Sequence, residues 1–497
     1  MRSLLADGSQ SERRPIVVIV TGDERTRFEA SVGRGEWDDI DRSRVRFALT
    51  DDPRTALDHA FPEWAPARVH GASLVVGDSA LPPSEQQRWT EGFRRRHLAE
   101  LEELTELRRR FANRLPDRSG SPRSLFGAAD VSTTALKHLG NELAAAAISL
   151  GLRAEFHTFD HQRDPFRPIR RLEALLRAAP ECLLSFVTSR ERDWGPITAG
   201  IPTVSYWSSD PLRYALDAMR FTADDFVAVS SERWIAHFAE RGIEARHVPL
   251  ASGLDDPCRE DPPEESHCDT LLVVGHLPSP LDVLPRDLHG RADALHALAA
   301  SGVDDPTVSD GLARTDAERI ALRRGLAFAI TARERRAAAI TLARAGLPLR
   351  VHGCARWRNA LADTPAEGAW CGPLIDRAAS ALAFRHAAAV VNVVSRTNAD
   401  DLNMRVLDVA ASGGVIVSND SPSLHAAFAV PNEALAYRSL EELPEIARSL
   451  LADPGRRRAI RAAARARAQR DHSWEARWRT LFAWMRERRS EPRRAAA

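Results

Sequence analysis

Residues 390–420 read VVNVVSRTNADDLNMRVLDVAASGGVIVSND, and this stretch decides the fold. VVNVV is a nearly continuous β-branched run, which is typical of a strand buried on both faces. A polar loop follows it, and Asn403 is suited to cap a helix that ends at Gly413 and Gly414. VIVS is then the next buried strand. The sequence therefore predicts a strand–loop–helix–strand unit of a parallel α/β sheet.

The loop of this unit is also a candidate site. A loop at the carboxyl end of a parallel strand, feeding a helix N-terminus, is where open α/β sheets bind ligands, because free N–H groups there attract anions. Four charged side chains lie inside the unit: Arg396, Asp400, Arg405 and Asp408. The rest of the chain has to show which ligand they would meet.

Length and composition narrow the choice of function. The chain has 497 residues, which is long for one core, so we expect two or three domains. The content of 44% hydrophobic and 28% charged residues is that of a globular protein. The formal net charge is zero, so no overall field favours a nucleic-acid partner. Lys137 is the only lysine, which makes any single arginine weak support for a site.

The remaining compositional features predict a cytoplasmic protein without a metal. The five cysteines form no CxxC pair, so we expect buried, reduced thiols and no metal cluster. The first residues, MRSLLADGSQSERR, lack the apolar core of a signal peptide. No window approaches the roughly 18 uninterrupted apolar residues of a membrane span, so we expect no transmembrane segment.

Strand and helix patterns alternate in two long series, which predicts an α/β fold with two Rossmann-like doubly wound domains facing a cleft. An N-terminal α/β extension with a long helix precedes them. The expected segments are the extension (1–120), the first Rossmann-like domain (121–252), a Pro-rich acidic linker (253–269), the second domain (270–470) with a helical insertion (277–330), and a C-terminal helix and tail (471–497). No Walker sequence and no GxGxxG opens either domain. The sequence therefore does not favour a kinase or a dehydrogenase, because these are the motifs that would indicate such functions.

Further segments around the opening stretch carry a family resemblance. They are VVGHLP, RERRAAAITLARAGLPLRVHGCARW, WCGPL, YRSLEELPEIARSLLADP and DHSWEARW. In this order they resemble the group 1 glycosyltransferases of GT-B fold, and in particular the CgeB-like spore-maturation branch. IPTVSYWSSDP and DFVAVSSERWIAHFAERGIEARHVPLA resemble the acceptor-side domain of that branch. The resemblance covers roughly residues 121–488 and leaves out 1–115 and 277–330.

The resemblance implies a hexosyltransferase that moves a sugar from a nucleotide-sugar donor to an acceptor. The C-terminal domain would hold the donor and the N-terminal domain the acceptor, which is a glycan, a protein or a small molecule. Such enzymes generally need no bound metal and no further cofactor. The oligomeric state stays open.

Donor-binding candidates follow from the chemistry of a diphosphate, which needs cations or oriented backbone N–H groups. The N–H groups would come from the helix that begins near Asn403 and ends at Gly413, and from the strand end at Gly275. Arg405 would add a charge-assisted bond, or would instead pair with Asp408 within its helix. By the resemblance, Arg335 and Arg336 occupy a place of a basic phosphate contact, and their Arg-rich run is equally compatible with a solvated face. Arg396 is a further cationic candidate.

Asp400 and Asp408 are eight residues apart, which is the spacing of the two glutamates of the retaining group 1 enzymes. By that resemblance Asp408 would hold the ribose hydroxyls and Asp400 would face the donor sugar. A carboxylate suits two vicinal hydroxyls well. Asp400 is equally suited to cap the loop before the helix.

The catalytic base is the most open point. An inverting transferase needs a carboxylate or a histidine within about 3 Å of the acceptor hydroxyl. The candidates in the first domain are His157, Asp160, His161 and Asp210, and Asp210 is equally suited to cap a helix at Pro211. A retaining enzyme would depend on arginines that stabilise the phosphate.

Three other functions compete with sugar transfer. The first is a nucleotide-sugar epimerase of the same fold. The second is a phosphorylase, which would need a pyridoxal-binding lysine, but Lys137 lies in a helix of the first domain. The third is a non-catalytic binding module that has lost its donor site.

Overall fold

The structure, a computed structural model, describes residues 16–20, 45–49, 83–113, 122–130, 134–159, 167–208, 211, 216–253, 269–374, 376–396 and 402–490. The chain forms two compact units. One comprises Met1–Ser119, Ser124–Asn141 and Glu155–Leu183, and the other comprises Gly120–Arg123, Glu142–Ala154 and Leu184–Ala497. The domain boundaries expected from the sequence stay a prediction.

The amino-terminal elements are two strands and a long helix: β1 (Ile16–Val20), β2 (Val45–Leu49) and α1 (Pro83–Asn113). The two strands pair in parallel, with Ile16 opposite Val45. Their β-branched and aromatic residues favour extended backbone. The runs IVVIV and VRFAL predict the two strands, and the charged run of residues 84–115 predicts the helix.

The next part of the chain alternates strands with helices. Its elements are β3 (Ser124–Asp130), α2 (Thr134–Ser149), β4 (Arg153–Phe159), α3 (Arg167–Ala178), β5 (Cys182–Phe186), α4 (Arg190–Trp194), β6 (Thr203–Trp207), β7 (Asp225–Val229), α5 (Ile235–Ala239) and β8 (Ala245–His247). The strands form a sheet in the order β4-β3-β5-β6-β7-β8. The pairs β6–β7 and β7–β8 are parallel. The rings of Trp207 and Phe238 pack edge to face, 5.0 Å apart, between β6 and α5.

The second alternating series begins after the linker. Its elements are β9 (Leu271–Val274), α6 (Ala292–Ala300), α7 (Asp316–Arg344), β10 (Leu349–His352), α8 (Arg356–Leu361), α9 (Arg377–His386), β11 (Ala389–Asn392), α10 (Met404–Ala411), β12 (Ile416–Asn419), α11 (Pro422–Ala427), β13 (Leu435–Tyr437), α12 (Leu443–Ala452), α13 (Pro454–Asp471) and α14 (Trp474–Ser490). The strands form a parallel sheet in the order β10-β9-β11-β12-β13.

This sheet is buried on both faces, as its β-branched runs predict. Val273, Val351, Val391 and Val417 are register partners on one face, are each at most 2% exposed and belong to one hydrophobic core. The opposite face is buried too, with exposed fractions of at most 3% at Leu272, Val390 and Ile416. Apolar residues on α7 and α12 complete that core. The fold class expected from the sequence, two parallel-strand α/β sheets with helices, is therefore confirmed.

One helix differs from the expectation. The sequence suggests a helical insertion up to about residue 330 and a new helix at residue 332, but α7 is one helix from Asp316 to Arg344. Thr315 caps it by accepting a hydrogen bond from the Glu318 N–H at 3.2 Å. Gly325 lies within this helix, and a Cβ there would lie 2.7 Å from Leu295 Cδ1 of α6, so the glycine leaves room for that side chain.

No helix among the described residues has the length and apolar character needed to cross a membrane.

Candidate functional site

The second sheet has a point where its strand order reverses. β10 lies on one side of β9, while β11, β12 and β13 follow on the other side. In parallel α/β sheets the crevice outside the carboxyl ends of the strands at such a point is where ligands bind. Here that place lies beyond Gly275, which follows β9, and beyond Val393, which follows β11.

Arg335 lies across this reversal point. From α7 its guanidinium donates Nε–H and Nη2–H to the Val393 carbonyl, each at 3.3 Å, and Nη1–H to the His276 carbonyl. Gly275 leaves room for it, because a Cβ at that position would lie 3.3 Å from Arg335 Nη1. Burial, with a smaller contribution from Arg405, lowers the pKa of Arg335 to about 9. The side chain is therefore still cationic at neutral pH.

Arg405 supplies a second cation at the same end of the sheet. It lies in the first turn of α10 and donates Nη1–H to the Asn392 side-chain oxygen at 3.1 Å. Burial lowers its pKa, and the charge of Asp408 opposes that shift. Arg405 lies near enough to Arg335 to lower the pKa of the latter. Within the described residues, neither guanidinium has a carboxylate at ion-pair distance, and the charges of Asp408 and Glu334 act on them only from farther away. The two therefore form a positive pair without a direct ion-pair partner there.

Asn392 organises this end of the sheet, and the sequence analysis did not single it out. Its side-chain oxygen accepts hydrogen bonds from Asn403 Nδ2 at 3.0 Å and from Arg405. Its side-chain nitrogen donates to Ser418 Oγ at 2.9 Å, and its carbonyl accepts from the Tyr437 hydroxyl at 3.1 Å. The signal in the sequence is an asparagine inside the apolar run VVNVV, since a buried amide needs partners.

The ends of α10 are built as the sequence predicts. Asn403 caps the helix, and its side chain accepts from the Val406 N–H at 3.3 Å. Gly413 has a φ of 77° and donates its N–H to the Ala410 carbonyl at 3.0 Å. Gly413 thus lies at the carboxyl end of α10, whereas Asn403 lies at the amino end with Arg405.

Two of the predicted cations have other partners. The guanidinium of Arg396 pairs with Glu334, with Nε donating at 2.9 Å, and this hydrogen bond raises the pKa of Arg396. The Arg396 N–H donates to Thr331 Oγ1 at 2.9 Å. Arg336 is exposed on another face of α7 and donates Nε–H to the Ala360 carbonyl at 2.6 Å. The structure therefore brings Arg335 and Arg405 together, but not Arg336.

The loop after β9 adds an ion pair at the same edge. Arg356 donates Nη1–H to Asp282 at 2.7 Å, and His276 Nε2 lies 3.3 Å from the same carboxylate. Burial alone would raise the pKa of Asp282, but the hydrogen bonds from Arg356, the Ser279 N–H and His276 outweigh it and lower the pKa to about 2. Asp282 is thus an anion at any ordinary pH and fixes the charge of this loop.

Asp408 is held by residues far away in the chain. Its Oδ1 accepts hydrogen bonds from Ser252 Oγ at 2.8 Å and from Arg377 Nη2 at 3.0 Å, and its Oδ2 accepts from Arg377 Nη1 at 2.6 Å. The Asp408 side chain is only 7% exposed. Arg405 acts on it through its charge alone, so the pair expected within α10 is not a direct contact in this structure.

The candidates for the catalytic base are only partly described. His157 lies on β4, where its Nε2 is 3.3 Å from Glu155 Oε2 and its ring is 5.2 Å from that of Phe126. The other predicted residues lie outside the described residues: Asp160, His161, Asp210 and Asp400.

Histidine, cysteine and acidic side chains are the groups that could hold a metal ion. In the part of the chain that the structure describes, no three His, Cys, Asp or Glu side chains are placed to hold a metal ion together. Cys182 is buried and Cys354 partly buried, but Cys371 is exposed. The expectation of buried thiols is wrong for Cys371, which is exposed because its segment lies at the protein surface.

Several solved structures are similar to this chain. A glycosyltransferase from Rickettsia africae ESF-5 covers 74% of this chain and 99% of its own, at 8% identity and a TM-score of 0.47. The sucrose-phosphate synthase of Thermosynechococcus elongatus covers 73% of this chain and 100% of its own, at 11% identity and a TM-score of 0.45. Anabaena HepE in complex with UDP and glucose covers 73% and 99%, at 11% identity and a TM-score of 0.45.

Sequence comparison gives a more local result. No curated protein sequence matches the chain. Residues 333–483 match the profile of a family described as glycosyl transferase-like. The matched segment includes Arg335, Arg377, Asn392, Arg405 and Asp408. These residues thus lie in a glycosyltransferase-like segment of the chain.

Proposed function

We propose that this chain is a glycosyltransferase that transfers a sugar from a nucleotide-sugar donor to an acceptor. The observation that carries the proposal is the positive pair of Arg335 and Arg405 at the reversal point of the second sheet. The match of residues 333–483 to a glycosyl transferase-like family supports it. We also propose a hexosyltransferase of the group 1 GT-B class, CgeB-like branch, in the cytoplasm.

The donor diphosphate is the chemical group that this pair fits. Hydrogen bonds to the described residues use three of the five N–H donors of Arg335 and one of the five of Arg405. A charge-assisted hydrogen bond to a phosphate contributes about 1.5–3 kcal/mol. The amino end of α10, capped by Asn403, adds oriented N–H groups beside Arg405. A bound diphosphate would supply the direct ion-pair partner that the described residues do not.

The same cations suit the chemistry of transfer. A bond forms between the acceptor oxygen and the anomeric carbon, the bond from that carbon to the phosphate oxygen breaks, and the acceptor proton passes to a base. The nucleoside diphosphate leaves with added negative charge, which placed cations stabilise in the transition state. For the base we retain Asp210 and His157 as proposals, and Asp400 as the proposed carboxylate that faces the donor sugar.

Asp408 is our proposed contact to the ribose. A carboxylate has about four lone-pair sites, and three of those of Asp408 are used by Arg377 and Ser252. This leaves room for one hydroxyl while the present contacts persist. Gly275 is proposed to act through Arg335, by leaving space for its guanidinium. Direct donor contacts remain proposals without such geometric support for Arg336, Arg396 and Gly413.

Thermal unfolding with UDP, GDP and dTDP tests the donor site. At a ligand concentration about 100 times the Kd, one bound nucleotide stabilises the fold by about 2.7 kcal/mol. We expect one of the three to raise the Tm of the wild type and of Arg324→Gln, and to have little effect on Arg405→Gln. Arg324 is a matched control because it is exposed on α7 and its guanidinium lies over the Phe328 ring. No stabilisation by any of the three nucleotides would refute the proposal.

Product analysis separates the competing enzyme. A transferase releases the nucleoside diphosphate from the donor, whereas an epimerase returns an intact nucleotide sugar with an altered sugar. A non-catalytic module binds the nucleotide and changes neither. We expect release of the nucleoside diphosphate.

A further inference from the structure

A cluster of charged side chains joins separate parts of the chain next to α10. We call Glu142, Ser252, Arg377 and Asp408 the Arg377 cluster. Arg377 is the first residue of α9 and Asp408 lies in α10, whereas Glu142 lies in α2 and Ser252 follows β8. All four belong to the same compact unit.

Arg377 is the centre of the cluster. It holds Asp408 with two hydrogen bonds, at 2.6 and 3.0 Å, and it also forms an ion pair with Glu142. The side chains are enclosed, with exposed fractions of 27% for Arg377, 10% for Glu142 and 7% for Asp408. One guanidinium therefore serves two carboxylates in a place that excludes most water.

The second oxygen of Glu142 is fixed from the other side. It accepts hydrogen bonds from the Gly253 N–H and from Trp474 Nε1, both at 2.9 Å. The backbone passes so close here that a Cβ on Gly253 would lie 2.5 Å from Glu142 Cγ. Glu142 is thus held by α14 and by the segment after β8, as well as by Arg377.

The charge of the cluster changes near neutral pH. Burial raises the pKa of Glu142 to about 7, and the charge of Asp408 acts in the same direction. Arg377 and the hydrogen bonds from Trp474 and the Gly253 N–H oppose this shift. Below pH 7 Arg377 therefore faces one charged carboxylate, Asp408, and above pH 7 it is shared with a second.

We propose that Arg377 is a positioning residue, which holds Asp408 and through it the helix α10 that carries Arg405, and that Glu142 controls how firmly Arg377 does so. The description of α10 as part of a donor site rests on the proposed function. Asp408 comes one turn after Arg405 on this short helix, so a shift of the Asp408 carboxylate moves the whole element. Buried ion pairs are poor sources of net stability, which is consistent with a role in fixing geometry.

Hydrogen exchange tests this role without any ligand. Loss of the Arg377 guanidinium leaves a buried carboxylate on α10 with Ser252 as its remaining partner, and the helix should open more often. We expect Arg377→Met to speed amide exchange in α10 about tenfold or more, which corresponds to about 1.4 kcal/mol of opening free energy. Exchange in β6 and β7 should stay at the wild-type rate.

The matched control is an ion pair outside the cluster. Arg246 and Glu487 pair at 2.7 Å on the protein surface. Arg246→Met should leave exchange in α10 unchanged. If Arg377→Met also leaves exchange in α10 unchanged while the protein remains folded, the proposal is overturned. If Arg377→Met does not fold, the same measurement is made on Glu142→Gln at pH 8. Amide exchange in α10 at the wild-type rate would then also overturn the proposal.

A second measurement uses UDP-glucose as the probe. Its phosphates carry no proton that titrates between pH 6 and pH 8, unlike a terminal phosphate, whose second pKa is about 6. We expect wild-type affinity to fall several-fold from pH 6 to pH 8, because ionised Glu142 adds negative charge and draws Arg377 from Asp408. Glu142→Gln should bind equally at both pH values, and Glu487→Gln should keep the wild-type pH dependence.

The outcomes separate the two proposals. A Glu142→Gln variant that keeps the wild-type pH dependence of UDP-glucose binding overturns the positioning role, since a merely structural glutamate would behave in this way. Absence of binding by the wild type of UDP-glucose, GDP-glucose and dTDP-glucose alike, at both pH values, counts against the proposed function. In that case the exchange of α10 still decides the role of the Arg377 cluster.

Discussion

At the scale of the residue, the buried side-chain amide of Asn392 links several parts of the candidate site. Asn392 joins the end of β11 to Asn403, Arg405 and Ser418 through its side chain, and to Tyr437 through its carbonyl. It is 1% exposed. Removal of its side chain takes a hydrogen-bond partner from buried Ser418 and from half-buried Asn403 and Arg405. A buried polar group that loses its partner costs about 1–3 kcal/mol.

Asn392→Ala is therefore expected to lower the free energy of unfolding by about 2 kcal/mol or more. Urea unfolding measures this change. Asn432→Ala is the control, because Asn432 is exposed and its replacement should stay within about 0.5 kcal/mol of the wild type. An Asn392→Ala variant as stable as this control would show that the amide does not hold the site together.

Gly275 allows a second test at the same scale. A methyl group there would lie 3.3 Å from Arg335 Nη1 and would press on a guanidinium that already contacts two carbonyls. We expect Gly275→Ala to weaken nucleotide binding about tenfold, or about 1.4 kcal/mol, measured by calorimetry. Gly290→Ala should bind as the wild type does, because no atom lies within 4 Å of its Cβ position. Equal affinities of the two variants would contradict the role of Gly275.

At the scale of the element, the Arg377 cluster makes stability depend on pH. The pKa of Glu142 rises from an ordinary 4.5 to about 7 on folding. Between these values the folded chain binds more protons than the unfolded chain, so the contribution of Glu142 to stability falls as pH rises from about 4.5 to 7. Glutamine resembles the protonated acid and avoids this loss.

We therefore expect Glu142→Gln to be more stable than the wild type at pH 8, by up to about 3 kcal/mol, and similar to it at pH 4.5. Urea unfolding at the two pH values measures both differences. Glu487→Gln should show no gain at pH 8, because its hydrogen bond with Arg246 lowers the pKa of Glu487. If Glu142→Gln is no more stable than the wild type at pH 8, the claim that burial of the ionised Glu142 carboxylate is unfavourable is wrong.

Some elements could be predicted from the sequence for clear physical reasons. The run VVNVV and the caps Asn403 and Gly413 mark β11 and α10 through local chemistry, and the structure confirms both elements. The start of α7 could not be predicted, because the irregular segment before it hides the cap at Thr315. The sequence also could not show that Arg335 is buried against the sheet while Arg336 is exposed, because this depends on how α7 is rotated against the sheet.

The partners of Asp408 show a second limit. Arg377 lies 31 residues away in the chain and Ser252 lies 156 residues away. No periodicity relates such positions, so the sequence places Asp408 in the site but does not reveal what holds it. Asn392 was missed although its signal is local. A single polar residue in VVNVV does not change the prediction of a strand, so nothing marked its side chain as part of a site.

At the scale of the whole molecule, strand order decides where a ligand can bind. The order β10-β9-β11-β12-β13 creates one reversal in the second sheet, and Arg335 and Arg405 lie at the carboxyl end of the strands beside it. The alternating pattern predicts this parallel architecture. The reversal itself depends on which strands pair, and strand pairing is a contact between distant segments.

The central claim is that this positive pair holds the diphosphate of a sugar donor during transfer. The most direct measurement is the release of nucleoside diphosphate from UDP-glucose, GDP-glucose and dTDP-glucose, with water as the acceptor if no other is supplied. We expect the wild type and Arg324→Gln to release the diphosphate from one of these donors at similar rates. Arg405→Gln should be slower by about tenfold or more, the loss of one charge-assisted bond. Release from no donor, or equal rates for Arg405→Gln and the wild type, would contradict the account.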